Sequence, residues 1–215
     1  MRRWFTLSHI TSLMITSIIP SIKIKEQEHL IQPLRVHSLL PDFKLEDVWR
    51  VPVTLAPTHS LRLFMDQFKV GEGQTVNKGM AGLLFRIRIF VGKVLKWDER
   101  VAHDHLVVGS IRFRYAQEEN LTYADLPAPG SGSFIPVYQL ENEILSEIEN
   151  ATVHAALHFS RVPAGPDAWT IHMAVYVKPK GWFGRLYMML IKPFRLWIVY
   201  PTLMKVARKN WEKYL

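Results

Sequence analysis

Histidine and glutamate side chains are where this sequence could do chemistry. His154, His158 and His172 are residue types that ligate metals and exchange protons near neutral pH. Over Thr152–Arg161, Val153, Ala155, Leu157 and Phe159 share one side of a strand, which puts His154 and His158 on the other. Over Trp169–Lys178, Trp169, Ile171, Met173, Val175 and Val177 form the apolar side and leave His172 opposite. A hairpin pairing Phe159 with Ile171 would set His158 across from His172 with Cβ atoms about 5 Å apart, within reach of a shared metal. No carboxylate stands near them in sequence, however, so solvent-facing histidines on an outer sheet face are the expectation. His103 and His105 flank Asp104 in an H-x-H spacing without a third ligand, which reads as a polar loop. Glu141, Glu143, Glu147 and Glu149 could supply paired carboxylates for acid–base work. They alternate with Ile144 and Ile148, so the expectation is the wet face of an amphipathic strand, with a bulge near Leu145–Ser146.

Composition narrows the chemistry further. The 215 residues include no Cys, which excludes disulfides, thiolate nucleophiles and Cys-based metal sites. With 48% apolar and 21% charged residues, the chain is globular and suits a cytoplasmic location. No catalytic residue, metal or cofactor is assigned from the sequence.

Charge is unevenly spread. The formal net charge of +8 belongs entirely to Lys178–Leu215, where nine basic residues face only Glu212. A localised positive field attracts anions or anionic lipid, so an anionic membrane surface is an expected partner. Trp182, Phe183, Trp197 and Lys205–Lys213 are the contact residues for it. Arg185 and Arg195 could clamp a carboxylate or phosphate, or pair with acidic strands. Leu186–Val206 has the length of a membrane span, but Lys192, Arg195, Lys205, Pro193 and Pro201 argue against spanning. Nucleic acid is not expected, because no aromatic platform interleaves with the basic run.

The elements that must position these residues follow from periodicity. Residues 1–35 read as an extension, disordered or a weak targeting segment: Met1-Arg2-Arg3 precedes an apolar but Ser/Thr-diluted stretch with no A-x-A site. A single domain is expected over 36–215. Asp47–Leu55 has strand character, with Pro52 at an edge. Leu61, Phe64, Met65 and Phe68 mark a helix capped by Thr58 or Ser60. A polar loop over Gly71–Gly79 leads to a second helix over Met80–Trp97. Ile111, Phe113 and Tyr115 alternate with Arg112 and Arg114, predicting a strand. Strands over Ile135–Glu147, Thr152–Arg161 and Trp169–Lys178 follow, the last two joined by the Gly/Pro loop Val162–Ala168. Phe183–Leu215 is one long helix, bent at Pro193 and Pro201. The order implies an α+β helix-grip fold: a curved antiparallel sheet around a long C-terminal helix, with a cavity between them.

The C-terminal block HMAVYVKPKGWFGRLYMMLIKPFRLWIVYPTLMKVARKNW resembles the bacterial domain of unknown function 2867 family, itself similar to the START and polyketide-cyclase (SRPBCC-like) superfamily. Gly184-Arg185-Leu186-Tyr187, Pro193-Phe194-Arg195 and Trp211 carry the match. HSLLPDFKLEDVW and ENEILSEIEN extend it over roughly residues 35–213. In that family the domain occurs alone and behind dinucleotide-binding reductase domains; this chain has no GxGxxG and resembles the stand-alone form. The resemblance implies a fold and no established reaction.

Together these readings favour a binding module for a small apolar or lipid-like ligand. Leu157, Phe159, Ile171, Met173, Arg185, Tyr187, Leu190, Phe194 and Arg195 would line its site. The alternatives are peripheral docking on a membrane or acidic partner, and a cyclase- or dehydratase-like enzyme drawing on Tyr138, Tyr176, Tyr187 or Arg185 in the same cavity. The sequence does not fix an oligomeric state.

Overall fold

A computed structural model describes residues 22–69, 106–129 and 134–215. The predicted loop and helix over 71–97, with His103 and His105, lie outside the described residues. The fold is α+β, with a curved antiparallel sheet packed against a long C-terminal helix. The chain order is β1 (Ile22–Lys23), α1 (Glu26–Leu30), α2 (Arg35–Leu39), β2 (Lys44–Leu55), α3 (Leu61–Lys69) and α4 (Ile111–Glu118). Then come β3 (Ile135–Gln139), β4 (Glu143–Glu149), β5 (Val153–Gly165), β6 (Ala168–Pro179), α5 (Gly181–Phe194) and α6 (Tyr200–Tyr214). The strands lie in the order β1-β2-β6-β5-β4-β3.

Two layers of side chains follow from strand alternation. One sheet face carries Trp49, Val51, Val53, Ile144, Phe159, Ile171 and Met173 against Tyr200, Met204, Ala207 and Trp211 of α6. The indole N–H of Trp211 donates to the Thr54 carbonyl at 3.2 Å, which ties α6 to β2. The other face carries Val48, Leu145, Ala156, Ala174 and Tyr176 against Val36, Leu39, Ile111 and Tyr115 of α2 and α4. Both faces of the sheet are therefore covered.

Several elements form as their local sequence dictates. In α3, Leu61 and Phe64 are buried and the Ser60 hydroxyl accepts from Leu63 N–H, the cap read from the sequence. The apolar faces of β5 and β6 are those the alternation assigned. The C-terminal helical run is continuous from Gly181 to Tyr214, and between Pro193 and Pro201 it widens into π-type turns over Arg195–Val199, which divide α5 from α6. Pro201 has no N–H to give, and the Thr202 hydroxyl donates to the Ile198 carbonyl beside it at 2.5 Å.

Other expectations need correction. Residues 111–118 form a helix, not a strand. The alternation Ile-Arg-Phe-Arg-Tyr also satisfies helical spacing, with Ile111 and Tyr115 buried one turn apart, and Ser110 caps the N-terminus through Phe113 N–H. The single strand expected over Ile135–Glu147 is a hairpin, β3 and β4, turning at residues 140–142. Its register shifts between Pro136 and Tyr138, so the irregularity expected at Leu145–Ser146 falls on the opposing strand. The β5–β6 turn is tighter than expected, only Pro166 and Asp167. Phe159 pairs with Met173, not Ile171, and His158 faces Ala174 while Ser160 faces His172. Pro52 lies in a strand flanked on both sides, but within a register break between Val51 and Leu55 and beyond the reach of two-residue β1. The packed structure also takes in residues upstream of the boundary placed at Val36, with β1 paired to β2 and His29 of α1 fully buried.

Candidate functional site

Helix α5 has a two-sided character. Gly184, Met188 and the half-buried Ile191 turn toward β5 and β6, with Met188 packed on Val153 and Val177. Gly184 permits that approach: a Cβ there would overlap the Thr152 carbonyl oxygen. On its outer side Trp182, Phe183, Met189, Leu190, Phe194 and, past the π turns, Trp197 are exposed, Trp182 by 70% and Trp197 by 78%. Positions 182, 186, 189/190, 193 and 197 follow helical spacing, so the exposed apolar side chains make one stripe along the rod. Arg185 and Lys192, two turns apart, run along one edge of it and make no salt bridge among the described residues. Lys205, Lys209 and Lys213 continue the exposed basic residues along α6.

The nine residues expected to line a cavity are distributed as follows. Phe159, Ile171 and Met173 are buried together against α6, with Leu157 partly buried beside them. Tyr187 is half-buried against the Val153–Val177–Met188 cluster. Leu190 and Phe194 belong to the exposed stripe, and Arg185 is exposed at its edge. The Arg195 guanidinium lies 3.2 Å from both Glu46 and Asp47 on β2, the ion pair with acidic strand residues that the sequence offered as one alternative.

The polar sheet face is where the sequence reading fails. His154, His158 and His172 lie opposite α6, as alternation requires, but they are buried beneath α1, α2 and α4 and not solvent-facing; His158 is 0% exposed. Glu143 and Glu147 are buried with them, which corrects the wet face expected for β4. Each carboxylate serves a helix and a histidine at once. Glu143 accepts from Arg35 N–H at 2.7 Å and Val36 N–H at 3.3 Å, where α2 begins, and also from Tyr138 O–H and His158 Nε2–H at 3.1 Å. Glu147 accepts from Ile111 and Arg112 N–H at 2.7 and 3.0 Å, where α4 begins, and from His154 Nε2–H at 2.8 Å. Helix-start N–H groups and a positive dipole end satisfy a buried anion. Burial pushes the Glu143 carboxyl upward, but the hydrogen bonds from His158, Arg35 and Val36 outweigh it and hold it below the ordinary value.

Four imidazoles converge there. The His29 ring centroid lies 5.3 Å from that of His37 and 5.6 Å from those of His158 and His172. Desolvation, then the neighbouring imidazoles, lowers His29 to about 2. Desolvation, then the Arg50 charge and His158, lowers His172 to about 4. His29 and His172 are therefore neutral at physiological pH. Among the described residues no three His, Asp or Glu side chains are placed to hold a metal ion.

Sequence reasoning missed His29 and His37, which fall in or next to the presumed extension, and no local pattern marks them. It also left Met189 and Leu190 out of the basic-aromatic surface, although their spacing from Trp182 and Trp197 is the signal that finds them. The sequence profile of a family described as proteins of unknown function (DUF2867) matches residues 39–202. No curated protein and no solved structure matches the chain.

Proposed function

We propose that this chain, which belongs to the DUF2867 family, attaches peripherally to anionic membrane surfaces through α5 and the basic flank of α6. The observation that carries this reading is the exposed stripe Trp182–Phe183–Met189–Leu190–Phe194–Trp197. Large apolar side chains in one continuous patch mark an interaction surface on an otherwise soluble fold. Their identity points to lipid: Trp and Phe sit at the boundary between headgroups and acyl chains, and Arg185 and Lys192 lie where they meet lipid phosphates. Charge complementarity supports the same occupant, since the whole net charge of the chain is concentrated between Lys178 and Leu215. No described helix is long and apolar enough to cross a membrane, so the contact would be made from the side.

Co-sedimentation with vesicles tests this. Binding is expected to phosphatidylglycerol-containing vesicles, weaker to pure phosphatidylcholine, and reduced by salt. Trp182→Glu with Trp197→Glu should abolish it. Arg185→Gln with Lys192→Gln should weaken it about 30-fold, at about 1 kcal/mol per removed charge. Equal binding to neutral and anionic vesicles would overturn the reading. So would a stripe whose variants leave vesicle binding intact but dissociate a dimer, because the stripe would then be an interface between two copies.

A further inference from the structure

A second site lies on the opposite sheet face, independent of the membrane reading. Between α1 and the β5–β6 hairpin is a cleft of about 210 Å³ lined by Glu28, Gln32, Arg50, Thr170 and His172, together with residues 162–164. His172 is 98% withdrawn from solvent yet reaches this cleft. Behind it runs a chain of hydrogen bonds. His172 Nδ1 meets His29 Nδ1 at 3.4 Å, and His29 Nε2 meets the Tyr176 hydroxyl at 3.2 Å. Tyr176 meets His37 Nδ1 at 3.2 Å, and His37 Nε2 meets the His29 carbonyl oxygen at 3.2 Å.

That carbonyl fixes the direction of the whole chain. A carbonyl oxygen only accepts, so His37 Nε2 carries a proton, and in the neutral ring that leaves Nδ1 a bare acceptor. The Tyr176 O–H therefore donates to His37, and its oxygen accepts from His29 Nε2–H. His29 Nδ1 is then bare and accepts from His172 Nδ1–H. The last consequence is at the cleft, which His172 lines: with its Nδ1 proton given to His29, His172 Nε2 has no proton and presents a lone pair. Across the cleft the Arg50 guanidinium is bonded to Glu28 through one nitrogen, which leaves further N–H donors for a ligand.

We propose that this cleft binds a small hydroxy-carboxylate, its carboxylate on Arg50 and its hydroxyl donating to His172 Nε2. A planar carboxylate matches the guanidinium fork, and the adjacent Glu28 charge favours a monoanion over a phosphate dianion. The volume suits a ligand of a few heavy atoms, smaller than the drug-sized molecules of larger pockets. Tyr176 is a positioning residue: it touches no ligand but sets which nitrogen of His172 is bare.

The experiment uses the full chain labelled with ¹⁵N at histidine, with the His172 signals assigned by their loss in His172→Gln. Free protein at neutral pH should show His172 Nδ1 protonated and Nε2 bare. Glycolate should shift the Nε2 signal at millimolar concentration. Methoxyacetate, which keeps the carboxylate but has no hydroxyl proton, should bind about tenfold more weakly, the worth of one buried hydrogen bond. Arg50→Gln should lose both ligands. Tyr176→Phe should keep the fold, judged by its remaining spectrum, and lose the preference for glycolate. A protonated Nε2 in free protein, equal affinity for the two acids, or no His172 shift at roughly 50 mM glycolate would each overturn the proposal.

Discussion

The two faces of the sheet are built from the same alternation and buried by opposite means. Toward α6, Ile171, Met173 and Phe159 meet Met204, Ala207 and Trp211, and burial there rests on apolar contact. Toward α1, α2 and α4, the same strands present His154, His158, His172, Glu143 and Glu147, which are as deeply buried. Burial there rests on hydrogen bonding of the carboxylates: Glu143 and Glu147, four residues apart on β4, each take the first N–H groups of a helix and one imidazole. The comparison teaches that a polar strand face can be an interior, provided the covering helices arrive with their N-termini first.

Acid should separate the two faces most strongly. His29 and His172 stay neutral in the fold down to about 2 and about 4, whereas the unfolded chain takes up their protons near 6.5. Stability is therefore full above pH 6.5 and falls as the pH drops, by about 4 kcal/mol between roughly pH 6.5 and 4.5 for the two together. Below the ordinary Glu value the depressed Glu143 carboxyl adds to the loss in the same direction. Urea unfolding across pH measures this, and His29→Gln should remove about half of the slope.

Glu143→Ala should cost about 3 to 4 kcal/mol in urea unfolding, since it strands His158, Tyr138 and the start of α2 together. A cost under about 1 kcal/mol would make β4 the solvated strand that its sequence suggests. On the apolar face, Met204→Ala should cost about 3 kcal/mol through lost contact and a cavity, with no change in pH slope. Gly184→Ala should cost about 2 kcal/mol, because the Thr152 carbonyl and α5 must move apart. Arg185→Gln with Lys192→Gln should change stability by less than about 0.5 kcal/mol, both residues being exposed, while weakening vesicle binding.

Alternation and helical spacing made the α+β class, the long C-terminal helix, and the inward faces of β5 and β6 legible. They could not say whether the second face of the sheet was covered. That depended on α1 and α2, five residues each, and on α4, whose start is satisfied by Glu147 from a strand some thirty-five residues away. Ile111-Arg-Phe-Arg-Tyr115 fits both periods, and only that remote cap and Ser110 decide for helix. The two-residue slip of the β5–β6 pairing left faces unchanged but moved His158 off His172. The stripe on α5 was the more readable surface, because Trp182 and Trp197 stand in helical register in a segment already known to be basic.

Tryptophan quenching by lipids brominated along their acyl chains tests the membrane contact most directly. In phosphatidylglycerol-containing vesicles the wild-type emission should be partly quenched. In Trp182→Phe with Trp197→Phe, which keeps the stripe apolar, the protein should still bind while the quenched component disappears. Bound wild-type protein whose emission is unquenched, or quenching that persists in the double variant, would show that α5 does not enter the bilayer surface.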